Sequence, residues 1–200
     1  MKDDVENKDV EEVRSLLQKF QDGYTKRDAS LLDEFMGLFI EEDALEVIGT
    51  NAVDPGRDEW CRGRDAVRRL VGGDWEGWGD VVYDVEGANI FVNGDTAWPS
   101  TTGTVHDRIS VEDRQTGYLN YIREILAEEQ TDASVKINTI LKLGNEIALD
   151  MPFGEDFTWP LRLTAVAVRH NLAWKFHQMQ FSFATTRAPD VRLETRTEAG

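Results

Sequence analysis

The stretch WKFHQMQFSF, from Trp174 to Phe183, sets one of the chain's three histidines beside two glutamines in a row of aromatic rings. A histidine titrates near neutral pH and serves as a general base, whereas a glutamine can orient a ligand but carries no proton there. Arg162 could polarise a substrate oxygen. The acids Asp43, Glu46 and Glu59 offer carboxylates, but no spacing visibly assembles two of them. Cys61 is the only cysteine, so no intrachain disulfide can form, and beside Trp60 it reads as a small buried hydrophobe. There is no zinc-type Cys/His spacing, no glycine-rich phosphate loop and no nucleophile elbow. Neither a metal nor a cofactor is therefore expected, and these residues alone assign no catalytic group.

The composition narrows the partners. A formal net charge of −16 over 200 residues opposes binding to nucleic acid and to anionic membranes, both of which need Lys/Arg to meet phosphates. No run approaches the roughly 18 apolar residues of a membrane span. The opening MKDDVENKDV lacks an apolar signal core, so the expectation is a single-domain cytoplasmic protein.

Periodicity supplies the elements that must hold these groups. Val10, Val13, Leu17, Phe20 and Tyr24 recur at helical spacing and predict a helix from about Asp4 to Lys26. Asp28 caps a second helix carrying Leu31, Leu32, Phe35 and Phe39. ALEVIGT reads as a strand, and RDAVRRLVGG as a short helix stopped by its glycine pair. From Asp80 the period is two, with one hairpin turning at Asn93-Gly94 and a second, LRLTAVAVRH against LAWKFHQMQFSF, across His170-Asn171. The intervening residues, about 113–157, read as an inserted helical hairpin, with Thr131 or Asp132 capping its second helix. Residues 184–200 read as a polar tail. The fold class is α+β, an antiparallel sheet curved around helices.

Three segments, GD.AW at Gly94 to Trp98, EVIGTNA...EWCRG from Glu46 to Gly63, and AWKFHQMQFSF, resemble the nuclear transport factor 2-like superfamily and, within it, the SnoaL-like proteins. The resemblance covers Asp9 to Pro189 apart from the insertion. It implies a cone: a bent antiparallel sheet packed on N-terminal helices, with a cavity at the open end. Such cones host enzymes, binding proteins and assembly modules alike. In ketosteroid-isomerase-like relatives the positions of the general-base Asp and the helix Tyr correspond to Ile48 and Phe20, neither of which moves a proton, so isomerase chemistry of that kind is not expected.

SnoaL-like relatives direct a strand Trp, and a polar residue six positions later, into the cavity; these correspond to Trp174 and Gln180. Strand alternation then turns Gln178 inward as well, with Trp98 and Thr102 on the preceding hairpin and Arg162 on the adjoining strand. Tyr24 and Trp60 would form the rim. A small, mostly apolar ligand is the expectation, in a cavity of roughly 300 Å³ or more. On the opposite face His177, Met179 and Phe181 would meet the second copy of a homodimer. Two alternatives stand beside this binding cone: a lyase, cyclase or hydrolase using the same cavity, and a dimeric assembly module.

Overall fold

A computed structural model describes residues 2–50, 52, 54–56, 59–150 and 154–183. Among the described residues the chain divides into two compact units: residues 2–106 with 158–183, and residues 107–157.

In the first unit, helix α1 spans Lys2–Lys26 and buries Val13, Leu17, Phe20 and Tyr24. Phe20 is the hub of the core, its ring 4.9 Å from Tyr24, 5.5 Å from Phe35 and 5.7 Å from both Tyr83 and Phe176. Gly23 is required here, because a Cβ at that position would lie 2.2 Å from the Phe35 ring. Asp28 caps the next segment, accepting from the Ser30 amide, but the expected second helix is broken into a 3-10 turn at Ala29–Leu31, helix α2 at Leu32–Phe35 and another 3-10 turn at Met36–Leu38.

Among the described residues the sheet has seven strands: β1 Glu46–Ile48, β2 Trp60–Arg62, β3 Asp80–Tyr83, β4 Asn89–Asn93, β5 Thr96–Arg108, β6 Asp156–His170 and β7 Ala173–Phe183. Their order is β2-β1-β7-β6-β5-β3, with β4 also on β5. The antiparallel expectation holds except at β1, which runs parallel to β7. Gly94, with φ of 60°, turns the β4–β5 hairpin. Asn171 and Leu172, both at positive φ, turn β6 into β7. Gln21, on the buried side of α1, donates to the Val81 carbonyl and accepts from the Tyr83 amide, which fixes the helix against β3. Arg169 on β6 pairs with Asp9 and Glu12 of α1 and lies 4.7 Å over the Trp174 ring.

Helix α3 covers Arg64–Gly77 and does not stop at Gly72-Gly73. A glycine inside a helix costs about 1 kcal/mol relative to alanine. Val67, Val71 and Trp75, spaced by four and all buried, continue one stripe through the pair and offset that cost.

Strand β7 contains a bulge. Val166 pairs with Gln178 and Ala167 with Phe176, so His177 is an extra residue. Trp174 and Phe176 point inward before it, and Met179 and Phe181 after it, all buried. The other strands put Ala97, Pro99 and Val105 of β5, and Leu161, Leu163, Ala165 and Ala167 of β6, on the same inner face.

The second unit contains helices α4, Val111–Ala127, and α5, Ala133–Asp150. Ser110 caps α4 by accepting from the Asp113 amide. Tyr118 reaches toward the Ile140 carbonyl at 3.5 Å, and Gly144 leaves room for the Tyr118 hydroxyl where a Cβ would sit 2.8 Å away. Arg108 and Asp156 form an ion pair at 3.0 Å.

Candidate functional site

The inner cavity is bounded by Tyr24 of α1, Leu70 and Asp74 of α3, Trp78 just beyond it, Phe181 of β7, and Gly49, Thr50 and Glu59 at the β1–β2 end. Its volume is about 100 Å³. That is smaller than expected: it accommodates a few waters or a small organic molecule, below the roughly 300–1,000 Å³ of drug-sized sites.

Tyr24 lies one turn beyond Phe20 on the buried stripe of α1, and its hydroxyl donates to Asp74 Oδ2 at 2.7 Å. The last turn of α3 carries Asp74. Burial is the main force on its carboxyl, raising the pKa from 3.8 to about 6; the neighbouring Glu59 adds to the rise, while the Tyr24 hydrogen bond and Arg27 oppose it. Burial and the Asp74 charge in turn keep the Tyr24 phenol protonated far above its ordinary range. Tyr83 is raised by the same two causes, and its hydroxyl is buried with no hydrogen-bond partner. Thr50 donates to Glu59 Oε2 at 3.3 Å. Gly49 is dictated by that carboxylate, since a Cβ there would lie 2.4 Å from Glu59 Oε2 and 2.6 Å from its Cβ. The site therefore holds a carboxyl that changes charge near neutral pH, a phenol bound to it and a second carboxylate, beside Trp78, Leu70 and Phe181.

Of the residues expected to bind a ligand, Tyr24 alone lines this cavity. Trp174 does point inward, but it is buried beneath Arg169 rather than on the cavity wall. The other assignments are corrected. Trp98, Thr102, Arg162 and Gln180 are exposed on the outer face, where Trp98 packs on Phe91 at 5.7 Å and Arg162 donates to the Phe183 carbonyl at 2.7 Å. The cause is the bulge: counting by two from Trp174 fails at His177 and inverts everything after it. For the same reason Met179 and Phe181 are core residues of this chain and not a surface for a second copy.

Two expected residues do come together, on the outer side. Trp60 Nε1 and Gln178 Nε2 each donate to Glu46 at 2.8 Å, and Arg62 Nε does so at 3.1 Å. These donors, that of Trp60 foremost, hold the Glu46 carboxyl below its usual range. Glu46, Arg62 and Gln178, with Asp43, Val166 and His177, edge an open groove of about 520 Å³. The network is saturated and ties three-residue β1 to both of its neighbours, which is a structural role. Cys61 is partly buried, and burial raises its thiol, which favours the protonated form over the nucleophilic thiolate. Among the described residues no group of three His, Cys, Asp or Glu is placed to hold a metal ion, and no helix is long and apolar enough to cross a membrane.

Sequence reasoning misses Asp74 because the glycine pair reads as the end of α3. The available signal is the Val67–Val71–Trp75 stripe, which carries the helix past it.

A bent, mostly antiparallel sheet closed over helices, with the cavity between them, defines the cystatin-like cone of the nuclear transport factor 2-like proteins. Residues 13–124 match the SnoaL-like domain, and the chain belongs to that family. Among solved structures, a dehydratase candidate of the nuclear transport factor 2-like family from Streptomyces avermitilis superposes with a TM-score of 0.56 at 14% identity, covering 90% of this chain and 99% of that one. A nuclear transport factor 2 superfamily protein from Salmonella enterica gives 0.53 at 12%, covering 91% and 95%. An uncharacterised protein with a cystatin-like fold from Caulobacter vibrioides gives 0.53 at 11%, covering 94% and 96%. At these identities the likeness is one of fold. No curated protein matches the chain.

Proposed function

We propose that this protein binds a small molecule in the inner cavity and exchanges a proton with it through Asp74. The observation that carries this reading is a carboxyl with a pKa of about 6, hydrogen-bonded to Tyr24, at the wall of a small, partly open cavity. Near pH 7 such a carboxyl is mostly ionised and acts as a base, yet it holds its proton long enough to return it as an acid. The Tyr24 phenol orients it by donating its single proton to Oδ2, and Trp78, Leu70 and Phe181 limit water. Acid–base elimination or hydration of a small oxygenated compound is the reaction class this set suits. That it differs from the isomerase arrangement agrees with Ile48 and Phe20, which offer no acid or base. The Streptomyces avermitilis dehydratase candidate has the same fold, a likeness consistent with this reading and weaker than the residues themselves.

Native mass spectrometry of the full chain purified from cells tests the assignment. The wild type is expected to carry a small-molecule mass that Asp74→Leu loses while remaining folded. An added mass retained unchanged by the variant would place the ligand elsewhere.

A further inference from the structure

We infer that the last turn of α3, from Asp74 to Gly77, is a gate that opens the inner cavity, taken as the ligand site proposed above. A cavity of about 100 Å³ admits anything larger than a few waters or a very small molecule only when one of its walls yields. The last turn of α3 supplies Asp74 to that wall and leads directly into Trp78, which also lines it. Glycine sets this turn apart from the rest of the helix. Gly72 and Gly73 precede it, and Gly77 ends it. None of the three has a positive φ, and packing requires none of them. A Cβ at Gly72 would make an ordinary contact 3.5 Å from Leu32 Cδ2, and one at Gly73 or Gly77 would meet no described atom within 4 Å. Alanine would fit each position and hold the helix more firmly, so the glycines weaken the turn with no steric need for them.

Three further features weaken the same turn. Asp74 and Glu76 put two acids at the negative end of the helix macrodipole, and no basic side chain stands in the last turn to offset them. The Asp74 carboxyl resists burial once it ionises. Trp75 is buried, yet its indole N–H has no hydrogen-bond partner, a loss that contact with water would relieve. Against these stand the contacts of the closed form: the Tyr24 bond to Asp74 at 2.7 Å, and the Trp75 ring 5.0 Å from Phe35 and 6.5 Å from Tyr24. Beyond the turn, Arg27 donates to the Trp78 and Gly79 carbonyls and keeps the chain fixed on α1. The turn therefore swings between the glycine pair and that clamp, carrying Asp74 and Trp75 away from Tyr24 and Phe35. Lids are drawn from segments of low local stability such as this one.

Solvent exchange of the indole protons, followed by NMR in the full chain without ligand, reads the opening. Trp174 is the internal reference, since its indole N–H is also buried without a hydrogen-bond partner but lies on β7. Trp75→Phe and Trp174→Phe identify the two signals. The Trp75 proton is expected to exchange at least about tenfold faster than that of Trp174, at a rate that urea too dilute to unfold the chain leaves unchanged. Gly72→Ala/Gly73→Ala should slow it by about fivefold or more, the factor expected from one such glycine. Should the added methyl group crowd Leu32 and lower the Tm, Gly73→Ala/Gly77→Ala repeats the test without that contact. Similar rates for the two indoles overturn the proposal, because the turn then opens only with the whole core. A fast Trp75 exchange that neither pair of alanines slows also overturns it. Either failure leaves the Asp74 reading standing, because its carboxyl titrates in the closed form with no opening required.

Discussion

Met179→Asp is expected to leave the chain unfolded at 25 °C, while Gln180→Asp, its neighbour, changes stability by no more than about 0.5 kcal/mol. Met179 has no exposed surface and packs opposite Ala165, on the face shared by Phe20, Phe176 and Phe181. Removing a buried methionine side chain costs about 2–5 kcal/mol, and a carboxylate in its place adds several more because nothing there can pair with it. The total matches or exceeds the about 5–15 kcal/mol that holds a domain together. Gln180 is exposed on the outer face, opposite Thr164. Urea unfolding followed by circular dichroism separates the two variants. A tolerant Met179 with an intolerant Gln180 would mean that the strand alternates without a bulge.

Asp74→Asn is expected to make the protein more stable and inactive. The asparagine oxygen still accepts from Tyr24, so the geometry persists without the charge. The folded-state pKa is raised, from 3.8 to about 6, so the stabilising contribution of Asp74 is complete below pH 3.8 and is lost as pH rises through 6. At pH 8 the wild type bears the full cost of ionising a buried carboxyl, about 3 kcal/mol for a shift of this size. The variant should recover about 2–3 kcal/mol at pH 8, and its advantage should shrink toward zero near pH 4. Thermal unfolding of both proteins across that range checks the slope. A gain independent of pH would mean that the charge is not the cause. Enzymes commonly accept such a destabilised group where chemistry needs it.

The parts of this fold that can be read from sequence are those where local pattern decides the outcome. Helix α1, both hairpins and the inserted helices are legible because long stretches repeat one period, and the family is recognisable from segments that lie on those elements. The face of the sheet is not legible, because a single inserted residue at His177 reverses it and no residue type announces a bulge. The plain alternation of Leu161, Leu163, Ala165 and Ala167 against Arg162 and Thr164 does carry the right answer for β6, and only the count from Trp174 overrides it. Of the candidate site, Tyr24 is visible from the end of α1. Asp74 is not, because its meeting with Tyr24 depends on one further helical turn that tertiary packing of Trp75 secures.

The proposed role of Asp74 as the proton-carrying group of this cavity depends on its ionisation near neutral pH. Its side-chain carboxyl can be followed by carbon-13 NMR between pH 3 and 9 in the full chain, with Asp74→Asn identifying the resonance. A midpoint of about 6 is expected, well above the ordinary 3.8. A midpoint near 4 would show an ordinary surface-like carboxylate and would contradict it.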